Sequence, residues 1–181
     1  QRSLPISTKR RRRVLDARMM LLQRQGRIGF YGTCTGQEAT PIAAGLALAP
    51  SDWVFQALRE SSMMLVRGFP IAKYIAQIFG NAYDDLKGRM QPSHMASRSV
   101  NQVSWSSCIA TQMPQAVGAA WAAKLKKDPT VVMTFVGDGG TEDVVQTTSG
   151  FARNWNAYNQ IIMSQGDLND ELFRDWIEPL D

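Results

Sequence analysis

At 181 residues, with 44% apolar and 20% charged side chains, the chain is long enough for one domain with a substantial core and too apolar for a disordered segment. Its net charge of +4 is uneven, with the basic excess mainly before residue 28 and a predominantly acidic stretch from Asp167 to Asp181. No apolar run approaches the length that spans a bilayer and no secretory pattern opens the chain; Cys34 and Cys108 stand far apart with no second thiol or histidine beside them, which argues against a disulfide framework and structural zinc and for a reducing compartment.

Gln1 in place of Met marks the chain as processed or as a piece of something longer. Lys9 to Arg13 is an unbroken basic run without interleaved aromatics or a recognised nucleic-acid motif, so residues 1–12 read as a solvated arm and no nucleic-acid partner is expected. An Arg-rich, acid-poor start also resembles the tail of a mitochondrial presequence. From residue 13 the pattern becomes that of a globular domain. Val14, Ala17, Met20, Leu21 and Leu22 predict an amphipathic helix from Arg13 to Gln25, stopped by Gly26. Arg27 to Glu38 carries three more glycines after Gly26 and reads as a loop, with Thr35 or Gly36 as cap and Glu38 in the first turn of a small-residue helix over 39–48. Pro50-Ser-Asp52 ends that helix.

Trp53-Val-Phe55 is short and apolar, and Arg59-Glu60 follows it. An Arg beside a buried segment forms a structural ion pair or uses its fork on a phosphate. Ile71 to Phe79 predicts a helix stopped by Gly80-Asn81, and residues 81–104 a long polar loop. The loop holds the only histidine, His94, to which no catalytic role is assigned. Pro114 opens a small-residue helix that ends in Lys124, Lys126 and Lys127, where cations favour the dipole. Thr130 to Val136 is then a buried strand that breaks into Gly137-Asp138-Gly139-Gly140. Glycines there let a phosphate approach the backbone, and Asp138 is a hard oxygen ligand suited to a divalent cation. Helix, strand, glycine turn is the order of a parallel α/β unit, which binds ligands at the carboxyl ends of its strands. Ile161-Ile-Met163 predicts one more strand, and Leu172, Phe173, Trp176 and Ile177 a short acidic helix.

Gln23 to Glu38, Trp53-Val-Phe with Arg59-Glu60, Arg67-Gly-Phe-Pro70, Lys87-Gly-Arg89, Pro92-Ser-His94 and Ser106 to Gln112 together resemble the alpha subunits of the 2-oxo acid dehydrogenases, nearest the branched-chain (2-oxoisovalerate) type. The match runs from about Arg13 to Thr141. The resemblance implies the α/β thiamine diphosphate-binding fold, a parallel sheet flanked by helices that residues 13–181 would hold in part, incomplete at the C-terminus. It implies thiamine diphosphate and Mg2+ as cofactors, with Arg59 on the diphosphate, Ser107 and the Ile109 main chain lining the pocket, and Gly137, Asp138, Gly139 and Gly140 holding diphosphate and metal, Asp138 as the magnesium ligand. Ser106, Thr111 and Gln112 match a stretch that binds K+ in branched-chain members.

The implied activity is oxidative decarboxylation of a branched-chain 2-oxo acid in amino-acid catabolism, with the acyl group passed to the lipoyl arm of an acyltransferase. The implied assembly is a heterotetramer with a beta subunit, in the mitochondrial matrix or a bacterial cytoplasm. Because the beta subunit completes the site, the isolated chain is expected to be inactive. Alternatives are a pyruvate or acetoin dehydrogenase alpha subunit, or a non-catalytic truncated relative acting as an interaction module. Three departures stand out: Met90-Gln91 reverses the family's Gln-Met, Glu142-Asp-Val-Val-Gln follows Thr141, and Gln165-Gly166 stand where the family has paired asparagines.

Overall fold

The structure is a computed structural model that describes residues 6–137 and 161–163. Four short strands form one sheet in the order β2-β1-β3-β4: β1 Trp53–Phe55, β2 Gln102–Val103, β3 Val132–Thr134 and β4 Ile161–Met163. Every pairing is parallel, with Val54 opposite both Gln102 and Met133, and Met133 opposite Ile162. Among the described residues this is the parallel α/β sheet flanked by helices that the sequence predicts, and β4 falls on the predicted Ile161-Ile-Met163. The proposed helix in the acidic tail lies outside the described residues.

Alternation along the strands explains the layers. Val54 and Met133 point to one face, where they pack with Phe135, Ala44 of α2 (Ala39–Ala47) and Met63 of α3 (Ser62–Val66). Phe55 and Val132 point to the other, against Ala116 and Ala120 of α5 (Gln112–Leu125). The small residues of α5 let it lie close on the sheet. Pro114 sits in its first turn, as predicted, where the missing N–H costs nothing. At the amino ends of the strands Asp52 accepts from Ala49 N at 2.7 Å and Val131 N at 3.0 Å, and the Arg67 guanidinium donates to the carbonyls of Ala49, Pro50, Asp52 and Val100. That edge of the sheet is tied shut.

A second core joins α1 (Ile6–Arg24) to α4 (Ile71–Phe79) through Leu15, Met19, Leu22, Tyr74 and Ile78, with Met95 and Val100 beneath them. Here two sequence expectations are corrected. The first helix begins at Ile6, so the basic run is helical, and Arg12 within it is buried to 1% exposure while Arg10, Arg11 and Arg13 face solvent. Its buried stripe is Arg12, Leu15, Asp16, Met19 and Leu22, and Val14 stays 66% exposed. The stripe can turn inward because Arg12 and Asp16 pair at i,i+4, 3.2 Å apart. Gly26, at φ +70°, closes α1 as predicted, with Gly26 N on Gln23 O and Arg27 N on Leu22 O. Gly80 at φ +62° does the same for α4.

The polar segment 81–104 is also tighter than a surface loop. It contains β2 and a 3-10 turn at Arg98–Val100, and Ser93 to Ser97 are buried. Side-chain amides replace strand partners there: Gln77 Nε2 donates to Ala96 O at 2.6 Å while Ala96 N donates to Gln77 Oε1 at 3.1 Å, and Gln56 Nε2 donates to Met95 O at 2.5 Å. Such pairing satisfies backbone groups that burial would otherwise leave unmet.

Candidate functional site

The chain forms β1, crosses to β2 on one side, then returns across β1 to form β3 on the other. The crossover direction therefore reverses between β1 and β3, and a parallel sheet binds ligands in the crevice at the carboxyl ends of such a pair. Arg59 follows β1 and Gly137 follows β3, so both expected diphosphate contacts leave from this point. Among the described residues nothing lies within 4 Å of a Cβ built on Gly137. Asp138, Gly139 and Gly140 lie outside the described residues.

Arg59 is half-buried and oriented by a loop on the opposite wall. Its Nε donates to Thr33 O at 2.9 Å and its Nη2 to Thr35 O at 2.6 Å, and Nη1 has no acceptor among the described residues. Between those two carbonyls Cys34, fully buried, directs its thiol to Arg59 O at 2.7 Å. Asp16 holds the same loop from behind, accepting from Cys34 N at 3.1 Å, from Thr35 Oγ1 at 3.2 Å and from the Tyr31 hydroxyl. Arg12 donates to Cys34 Sγ at 2.8 Å and to the Tyr74 hydroxyl, which also bonds Ser61 Oγ at 2.7 Å. The expected cap is corrected here: Glu38, not Thr35 or Gly36, holds the N-cap position of α2, and its carboxylate takes Arg13 Nε at 2.7 Å and Gly36 N at 3.2 Å with no side-chain bond to the helix. Those bonds, the Arg13 bond first, hold the Glu38 carboxyl below its ordinary range.

Burial raises the Cys34 thiol above its ordinary 9.0 and the Tyr31 phenol above its ordinary 10.0, and pushes Tyr74 up to about 12, in each case against the field of Arg12. The folded protein thus keeps protons that the unfolded chain gives up. Stability from these groups is full below pH 9.0 and falls as pH rises through their folded values, first through Cys34 and then, above pH 10.0, through the two tyrosines. Urea midpoints measured from pH 7.5 to 11 should fall monotonically with two onsets. A flat or rising profile would refute this linkage.

The third wall is the loop from Ser104 to Thr111. Gln112 Nε2 donates to Phe135 O at 2.6 Å, and Ala110 and Met113 pack on Val136, which fixes this loop beside the end of β3. Ala110 takes φ +63°, turning the chain so that Ser107 and Ile109 face outward, Ile109 at 66% exposure. Ser107 Oγ lies 3.0 Å from His94 Nε2, and the His94 ring stacks on Trp105 at 4.1 Å between centroids. His94 Nδ1 is 3.1 Å from Pro92 O. Ser106 Oγ accepts from Cys108 N at 3.2 Å, and Thr111 Oγ1 donates to Cys108 O at 2.9 Å. Ser106 and Thr111 thus both bond to Cys108, while Gln112 turns its amide to the end of β3, and among the described residues no cluster of three His, Cys, Asp or Glu could hold a metal.

Sequence reasoning missed Arg12, Asp16, Tyr31 and Cys34 as supports of this site. One signal was present. Residues 12, 16 and 19 fall on one helical stripe with Leu15 and Leu22, so two opposite charges at i,i+4 shared the apolar face.

A family model for the "Dehydrogenase E1 component" matches residues 7–164. The chain is 43% identical over 130 residues to 2-oxoisovalerate dehydrogenase subunit alpha 2, mitochondrial, of Arabidopsis thaliana, and 45% identical over 130 residues to subunit alpha 1 of the same plant. It is 43% identical over 121 residues to the mitochondrial alpha subunit of Bos taurus. These matches cover 72%, 72% and 67% of this chain, and 28%, 28% and 27% of those relatives, so the chain spans under a third of their length.

Proposed function

Since the chain belongs to the dehydrogenase E1 component family, we propose that it forms the diphosphate-binding part of the alpha subunit of a branched-chain 2-oxo acid dehydrogenase. The observation that carries this is the placement of Arg59 and Gly137 at the carboxyl ends of β1 and β3, where the sheet's direction reverses. The residues fit a diphosphate: a guanidinium with one nitrogen unclaimed among the described residues, a glycine at the end of β3 that puts no side chain in the way, and the Ser107 hydroxyl in the loop fixed beside that end. Thiamine diphosphate, when bound, supplies the carbanion and electron sink that decarboxylation of a 2-oxo acid requires.

In this reading Arg59, its guanidinium fixed by Thr33 O and Thr35 O, would hold the diphosphate beside Gly137. Ser107, held by His94, and the Ile109 main chain line the pocket. Asp138, with Gly139 and Gly140, would hold Mg2+, and Ser106, Thr111 and Gln112 would offer K+ the neutral oxygens that it takes. A beta subunit and a lipoyl-bearing acyltransferase are the partners, 2-oxoisovalerate or a close analogue is the substrate, and the compartment is the matrix of the mitochondrion, the organelle named for the relatives.

Titration calorimetry with thiamine diphosphate and Mg2+, with and without a beta subunit, tests the reading. Native chain should bind and Asp138→Ala should bind much more weakly. Release of CO2 from 2-oxoisovalerate with an artificial electron acceptor should be absent for the chain alone. Equal heats for native and Asp138→Ala under both conditions would overturn the cofactor assignment and favour an interaction module.

A further inference from the structure

We propose that Cys34 is a positioning residue for the diphosphate site: it fixes the main chain of Arg59 while the carbonyls on either side of it fix the Arg59 guanidinium. The inference rests on the reading that Arg59 meets the diphosphate.

The geometry is a three-point grip by consecutive residues. Thr33 O takes Arg59 Nε at 2.9 Å, Thr35 O takes Nη2 at 2.6 Å, and between them the Cys34 thiol donates to Arg59 O at 2.7 Å. A guanidinium on a long side chain has several rotatable bonds, and two side-chain contacts alone would leave its backbone anchor free to shift. The thiol removes that freedom. Cys34 is itself immobilised: its Sγ accepts from Arg12 Nη2 at 2.8 Å and its N–H donates to Asp16 at 3.1 Å, and both partners are 1% exposed. Thr35 is tied to Asp16 as well, at 3.2 Å. Helix α1 therefore reaches the site through Cys34 and Thr35 together, with the thiol as its contact to the Arg59 main chain, and Nη1 of Arg59 is left free, among the described residues, to meet an anionic oxygen. A thiol suits the post because its weak S–H donates to the carbonyl while the sulfur accepts from a cation. Displacing a binding group by about an ångström is enough to lose a large factor in function.

The test compares native chain, Cys34→Ala, Cys34→Ser and Arg59→Ala, each with the partner subunit present. The probes are thiamine diphosphate, unphosphorylated thiamine and inorganic pyrophosphate. Native chain should prefer thiamine diphosphate to thiamine, and Arg59→Ala should erase most of that preference. Cys34→Ala should lower the preference about tenfold with thiamine affinity unchanged, and Cys34→Ser, which keeps a donor and an acceptor, should restore it. A role in stability alone would lower the melting temperature and leave the ratio of the two affinities intact, and that outcome would overturn the proposal. Absence of any diphosphate preference in native chain, together with indifference to pyrophosphate, would instead remove the functional reading on which it stands.

Should Cys34→Ala fail to fold, the S–H stretching band of native protein gives the answer. Cys34 is buried and Cys108 exposed, so their bands separate. Pyrophosphate should shift the buried band, and an unmoved band at saturating pyrophosphate would count against the inference.

Discussion

Arg12→Ala is expected to cost about 3 to 5 kcal/mol of stability, enough to unfold much of the population of a domain held by about 5 to 15 kcal/mol. The loss is larger than that of one ion pair because the substitution strands a buried charge. Asp16, 1% exposed, would keep its carboxylate without the guanidinium 3.2 Å away, and the Tyr74 hydroxyl and Cys34 sulfur would each lose a donor. Cys34 N, Thr35 Oγ1 and the Tyr31 hydroxyl would still donate to Asp16, but a buried carboxylate without a counter-charge keeps much of its desolvation penalty. The pair is nonetheless not a bargain in itself, since Arg12 Nε is buried with no acceptor among the described residues. The double substitution Arg12→Met with Asp16→Asn should therefore recover more than half of the loss. Urea midpoints for the two single variants and the double give the coupling. If Arg12→Ala costs under about 1 kcal/mol, the charge is not buried in solution as it is here.

Gly88→Ala is the second large effect, at about 2 to 4 kcal/mol. Gly88 has φ +69°, and an added Cβ would lie 2.6 Å from Gly80 O, a backbone atom that cannot swing aside. Left-handed backbone costs a non-glycine residue about 1 kcal/mol, and forced overpacking adds roughly 1 to 3 kcal/mol. Gly80 ends α4, and the strain would pass along that helix to Gln77, whose amide and carbonyl hold Ser93 and Ala96. Gly26→Ala is the matched control. Its φ is +70° with nothing within 4 Å of the new Cβ, so it bears the backbone cost alone. Chemical denaturation should separate the two variants by at least 1 kcal/mol, and equal losses would show that the contact at Gly80 relaxes freely.

What could be read from the residues was whatever local chemistry decides. The β-branched run at Thr130 to Val136 contains β3, Pro114 lies in the first turn of its helix and Gly80 ends α4, and Ile161-Ile-Met163 forms a strand because short apolar runs have few other places to go in a parallel sheet. Arg59 was legible as a phosphate ligand only through the family's motif, because a lone Arg after a strand has an equally good structural use. The inward turn of Arg12 left only one trace, its i,i+4 spacing to Asp16 on the apolar stripe, and the burial of Ser93 to Ser97 left none, since each also depends on a partner distant in sequence. Arg12 needs Cys34 and Tyr74, and the segment around Met95 needs the amides of Gln56 and Gln77. Read one segment at a time, such residues look like surface.

The parallel order β2-β1-β3-β4 also sets a clock on synthesis. Trp53-Val-Phe55 leaves the ribosome long before either neighbour, since its partners are Gln102 on one side and Met133 on the other. Until then an apolar strand with both edges unpaired is exposed to every other nascent chain, which is the condition that favours aggregation and engages chaperones. Sheets built only from distant pairings fold slowly for the same reason. The yield of native chain should accordingly follow how soon Val132 to Thr134 arrives, more than how stable the finished sheet becomes.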